Sequence, residues 1–213
     1  MDLAALIQKN IETLYGISVG EPVANYLIDR EQLSSLLPAH QCTLVPKELL
    51  LVNPAPQDDT LEIALFLDDS LLNNLTKNNP LTALTPNNIN DFCTLIEGVS
   101  HFVYYLHTAL LERPVTQLEM ELQAEIDKFV LLSLFMCSST NADLLNLLFE
   151  NYLLRDGLDA QTAERYRTAS TLAQKYCSQL LQTAQKNNYA SLLAEVRYFY
   201  PLNQEDKIRH ILQ

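Results

Sequence analysis

Apolar residues recur at helical spacing from the start of the chain. Leu3, Leu6, Ile7, Ile11 and Leu14 line one side of a stretch that opens on Asp2 and meets Gly16. A capping aspartate before such a run and a glycine after it predict a helix over Asp2–Tyr15. REQLSSLL predicts a shorter helix ahead of Pro38. The pattern then changes. KELLLV and TLEIALFL are short apolar runs of strand type, and the proline-rich NPAPQDD separates them. They predict an antiparallel strand pair. The connection is too long and too rich in proline for a tight hairpin, which leaves room for a third strand around Thr43–Val45. DDSLLNNLTK, capped by Asp68 or Asp69, predicts a short helix.

After the two-proline connection NNPLTALTPNN the pattern stays helical. Pro86 suits a first helical turn, so a helix is predicted from there to about Glu112. Pro114 disfavours helix at Arg113, and a second long helix follows over Val115–Cys137. With so short a link the two are expected to form an antiparallel hairpin. Further helices are predicted over Ala142–Arg155 (ended by Gly157), Ala160–Lys186, YASLLAEVRYFY (stopped by Pro201) and NQEDKIRHILQ. No fixed repeat period occurs, which excludes a solenoid. The predicted fold is α+β and predominantly helical. A small N-terminal part with a short antiparallel strand pair, residues 1–80, packs on a helical bundle of residues 86–213.

Composition supports this reading. Of the 213 residues, 48% are hydrophobic and only four are glycine, too few for a sandwich or a doubly wound sheet. The formal charge of −12 argues against duplex DNA or RNA as partner. The charge is uneven: residues 1–141 hold six Lys/Arg and eighteen Asp/Glu, and residues 142–213 hold eight of each. Cys42, Cys93, Cys137 and Cys177 are far apart, so no CxxC metal or redox pair exists. Cys93 and Cys137 lie in apolar helical stretches and read as buried thiols. The N-terminus lacks the pattern of a signal peptide, and the apolar run FVLLSLFMC is too short for a bilayer. A reduced, cytoplasmic location is expected, with no membrane association.

Two groups of residues could carry function. On the first long helix Phe92, Ile96, Val99, Val103, Leu106 and Leu110 form an apolar stripe, with Glu97 and His101 four apart on its flank and Tyr104, Tyr105 and Thr108 continuing it. Gly98 between them points to a close approach by another segment, since mid-helix glycine costs about 1 kcal/mol against alanine. On the second long helix the stripe Val115, Leu118, Leu122, Glu125, Phe129, Leu132 places Glu125 on the apolar face and Glu121 one turn before it, with Asp127 and Lys128 on a solvated flank. A buried carboxylate needs a partner, and His101, a facing tyrosine or an arginine from the C-terminal half is expected. Glu97, His101, Glu121 and Glu125 also have the residue types of a carboxylate-bridged metal site. Such sites use Glu-x-x-His on two helices, whereas the spacing here is Glu-x-x-x-His, once. No metal and no cofactor are therefore expected.

The second group is C-terminal. Arg165, Arg167, Arg197, Lys207, Arg209 and His210 alternate with Tyr166, Tyr198 and Tyr200, a pattern that suits an interaction surface. The local charge is balanced, which does not suit a nucleic-acid footprint. No nucleophile elbow or phosphate-binding glycine loop occurs. LLNLLFENYLL is apolar on more than one face and suggests an oligomer or a complex subunit. The expected function is a non-enzymatic adaptor or subunit that binds a protein partner, a second copy of the chain or both through a helical face. The alternative is an enzyme or a small-ligand or metal-binding protein that uses Glu97, His101, Glu121 and Glu125.

Overall fold

A computed structural model of the chain describes residues 2–38, 45–55, 60–136, 141–150, 159–186 and 189–213. Among them the fold is α+β and predominantly helical. The order is α1 (Leu3–Tyr15), β1 (Leu27–Ile28), α2 (Arg30–Leu36), β2 (Glu48–Ala55), β3 (Thr60–Leu67), α3 (Asp69–Lys77), α4 (Ile89–Leu110), α5 (Gln117–Met136), α6 (Asn141–Leu145), a π-helical turn (Asn146–Glu150), α7 (Ala160–Lys186), α8 (Tyr189–Phe199) and α9 (Gln204–Leu212). The chain forms two compact units, Met1–Lys9 with Gly20–Val103 and Asn10–Val19 with Tyr104–Gln213, so α1 and α4 each run through both.

Local chemistry sets the element ends. Asp2 accepts from the Ala4 amide at the start of α1, and Gly16 takes the positive φ that stops it. Asp29 and Gln32 form a reciprocal capping box on α2, and Asp68 caps α3. The α4 helix begins at Ile89, three residues after the predicted Pro86. Helical bonding begins at Thr85, whose carbonyl accepts from the Asn88 and Ile89 amides, and the Phe92 amide then donates to the carbonyl of Asn88. The Asn88 side chain accepts from the Thr85 amide and donates to the carbonyls of Asn78 and Ala83, closing the connection before the helix starts.

The first unit holds a three-stranded sheet of order β1-β3-β2. β2 and β3 are antiparallel, in continuous register from Glu48 opposite Leu67 to Ala55 opposite Thr60. The strand pair thus reaches further into NPAPQDD than the apolar pattern suggested. Pro54 is accepted because β2 is an edge strand. The third strand is Leu27–Ile28, parallel to β3. Of the segment expected for it, Val45 lies outside any strand and residues 43–44 lie outside the described residues.

α4 approaches this sheet closely at Gly98. A Cβ there would sit 3.1 Å from Glu48 Oε2, 3.2 Å from a Leu67 methyl and 3.3 Å from a Leu65 methyl. This is the close approach that the glycine implied. Gly98→Ala is expected to destabilise by about 1 kcal/mol net in a thermal melt. Pressing on these neighbours costs about 1–3 kcal/mol, against about 1 kcal/mol gained in helix propensity.

In the second unit α5 packs on α7. α5 is central: every residue from Leu122 to Leu132 is buried. Leu144 and Phe149 of the segment LLNLLFENYLL enter the core while Leu147 is exposed, and residues 151–154 lie outside the described residues. Leu110, expected on the apolar stripe, is exposed because α4 ends there and Glu112 turns the chain with φ 50°. Cys93 is half-buried, off the stripe of its buried neighbour Phe92, and Cys177 is buried; neither is in a disulfide. Cys42 and Cys137 lie outside the described residues. No described helix is long and apolar enough to cross a membrane.

Candidate functional site

The C-terminal pattern EVRYFYPLNQEDKIRHIL folds as two short helices around a corner. Pro201 cannot continue α8, and Asn203 starts α9 by accepting from the Asp206 amide. Lys207 and Ile211 are one turn apart on α9 and both are fully buried. Lys207 Nζ donates to Gln123 Oε1 at 2.8 Å and to the carbonyls of Phe199 at 3.1 Å and Tyr200 at 3.2 Å. The rings of Phe199, Tyr104 and Tyr200 surround the same nitrogen at 4.1, 5.2 and 5.8 Å from their centroids. Three acceptors and three ring faces suit an ammonium. Burial opposes the charge and pushes the Lys207 pKa down to about 7, although Glu119 and Asp127 hold it up.

A polar network continues from this lysine. Gln123 donates to Asp127 at 2.9 Å and to the Tyr15 hydroxyl at 3.1 Å, and Tyr15 donates to Asp127. Tyr15 stacks on Tyr200 at 3.8 Å, and Tyr104 meets Tyr200 edge-on at 5.0 Å. Tyr104 also donates to Glu119 at 2.5 Å, where Arg113 pairs with the same oxygen at 2.6 Å. Burial first, then the nearby carboxylates, raises the pKa of both Tyr15 and Tyr104. Tyr104 is therefore a core residue, not the polar flank of α4 that its spacing suggested. The half-buried His107 packs on Tyr200, and burial with the positive Arg113 and Lys207 lowers its pKa.

The interaction surface expected from the sequence divides. Tyr200 and Lys207 are 1% and 0% exposed, so they belong to the core, where the Lys207 ammonium meets Gln123 of α5 and the Phe199 and Tyr200 carbonyls. Arg197, Tyr198 and Arg209 are exposed. Arg197 Nε donates to the Leu14 carbonyl at 2.9 Å and its Nη2 to Thr13 at 3.1 Å, which satisfies the C-terminal carbonyls of α1. Arg209 pairs with Asp206 at 2.6 Å. Tyr198 lies against His210, ring centroids 5.5 Å apart, and His210 meets Glu195 at 2.7 Å. Tyr176 donates to that same glutamate oxygen at 3.1 Å. Arg165 and Tyr166 on α7 are half-buried, with the guanidinium 5.6 Å from the ring centroid, and Arg167 is exposed.

The four polar residues of the other predicted group fall in both units. In the first, Glu97 is half-buried and His101 is buried with Nδ1 3.8 Å from Glu48 Oε2. In the second, Glu121 is half-buried, and Glu125 is buried as expected and pairs with Lys128 at 2.8 Å. Asp127 and Lys128 are buried too, 0% and 6% exposed, so the solvated flank expected there is part of the core. Among the described residues no group of three or more His, Cys, Asp and Glu could hold a metal ion.

Sequence reasoning gave no role to Tyr15 or Gln123 and placed Asp127 on a solvated flank. One signal for Lys207 was present, its one-turn spacing from Ile211. No family model, no curated protein and no solved structure matches this chain.

Proposed function

We propose that this protein is a non-enzymatic interaction subunit that binds a protein partner through the outer face of α8 and α9. The observation that supports the reading is the pair Tyr198 and Leu212, 59% and 60% exposed, on the two helices locked by the Lys207 corner. Leu212 shares the outer face of α9 with Arg209, three residues before it, and Tyr198 is braced by His210. Tyrosine and arginine on a rigid element are the residue types that carry binding energy at interfaces. The partner is a protein surface with an apolar centre flanked by carboxylates. Those carboxylates meet Arg197 and displace the half-buried Asp206 from Arg209, a pairing worth only about 0.3–0.5 kcal/mol.

Affinity capture from the native host tests this with the wild type and a Tyr198→Ser/Leu212→Ser variant. A discrete protein held by the wild type and lost from the variant is expected, with unchanged circular dichroism. Capture that is the same for both proteins would overturn the reading.

A further inference from the structure

We propose that α9 is a latch that opens and recloses while the rest of the second unit stays folded, and that it closes more tightly as pH rises above neutral. The way α9 is held carries the inference. It is nine residues long, and Pro201 breaks the helix between it and α8. Lys207 and Ile211 are its buried side chains, and the others are exposed or half-buried. Its other ties to the described residues are side-chain bonds. The Thr116 hydroxyl donates to Gln204 Oε1 at 2.5 Å, Gln179 donates to the Ile211 carbonyl at 3.1 Å, and His210 meets Glu195 at 2.7 Å. Such bonds are exchanged for bonds to water at small net cost. One buried apolar side chain and one buried ammonium therefore do most to hold the helix, which places it at the low-stability end of the unit. α5 stands at the other end, with every residue from Leu122 to Leu132 buried.

The buried ammonium makes closure depend on pH. Docking moves Lys207 from water into the cage of Tyr104, Phe199 and Tyr200. Burial opposes its charge first, Glu119 and Asp127 of α5 favour it, and Arg113 of the α4–α5 link opposes it. Burial, Arg113 and Lys207 hold His107 of α4 below the usual histidine range, so it is neutral above pH 7. Burial raises Tyr104, Tyr200, Tyr15 of α1 and Tyr176 of α7, so they keep their protons. Within this cage Lys207 is thus the group that titrates between pH 7 and pH 9. Closed, it loses its proton at about pH 7, and open, it is a solvated lysine that loses it at about pH 10.4. Between these values the open state keeps a proton that the closed state gives up. Each pH unit upward therefore favours closure by up to about tenfold, and below pH 7 the effect levels off. The outer face of α8 and α9 is complete only while α9 is docked, so the latch regulates that face and in this respect rests on the reading above.

Hydrogen exchange of the full chain tests the latch, followed at α9 and α5 from pH 7 to pH 9 with the chemical exchange rate divided out. No partner is needed, so the result is separate from the capture experiment that decides the reading above. The Lys207 and Ile211 amides are expected to stay less protected than those of the α5 core. Their protection is expected to rise about 50-fold over this range. In Lys207→Met it is expected to stay flat. In His210→Gln, which changes the neighbouring pair with Glu195 on the same helix, the rise is expected to remain. The proposal is overturned by α9 amides as protected as those of α5, by protection that does not change with pH, by a rise that Lys207→Met retains, or by one that His210→Gln loses. If Lys207→Met fails to fold, the wild-type series and His210→Gln decide.

Discussion

Glu125→Ala is expected to lower stability by about 3–5 kcal/mol, the cost of breaking a buried ion pair by removing one member. Glu125 and Lys128 have side chains only 8% exposed and meet at 2.8 Å one turn apart on α5. Removing the carboxylate breaks this ion pair on a helix whose residues from Leu122 to Leu132 are all buried. Removing both charges is a different change. Glu125→Leu with Lys128→Met exchanges two desolvated ions for apolar side chains of similar size, and such exchanges are often neutral or stabilising. Denaturant melts of the wild type, the two single variants and the double variant form the cycle that isolates the pair. A Glu125→Ala protein as stable as the wild type would remove the structural role of this pair and return Glu125 to the group of candidate chemical residues.

The reason this pair and its neighbours were not legible in the sequence is physical. Helix existence was legible, because apolar period and caps are local: Ala160–Lys186 is a helix over the predicted range, and Asp2, Asp29 and Asp68 cap helices. The strand pair was legible for the same reason. The third strand was not, since Leu27–Ile28 is too short to show a period and exists through its parallel bonds to β3. The polar face of α5 misled most. A helical wheel assigns charged residues to solvent, but a central helix has no solvent side, and Asp127 and Lys128 are buried there. Tyr200 and Lys207 misled in the same way: alternation of cations with tyrosines looks like a surface. Their burial depends on Tyr15 and Gln123, far away in the chain, and no local pattern encodes those contacts. Of the residues in that pattern, Arg197, Tyr198 and Arg209 are exposed.

The second large effect is a pH dependence carried by Lys207. Its folded pKa of about 7 lies below the unfolded value of about 10.4. The folded state therefore binds this proton more weakly than the unfolded chain. The stability linked to it is fully present above the unfolded pKa and is lost as pH falls through the folded one. Between about pH 7 and pH 10 the wild type should gain about 4 kcal/mol from this group as pH rises. Lys207→Met has no such proton, so its stability should lack that gain. The buried tyrosines Tyr15, Tyr104, Tyr176 and Tyr200 have raised pKa values and take stability away above about pH 10. The thiol of Cys177, raised by burial, does so from somewhat lower pH. Both proteins contain these groups, so they largely cancel in the difference. Chemical denaturation of the two proteins from pH 6 to pH 10 reads that difference directly. It should widen with pH in favour of the wild type. Parallel curves would mean that Lys207 keeps its proton throughout, with the three acceptors and three rings around Nζ fully compensating its burial.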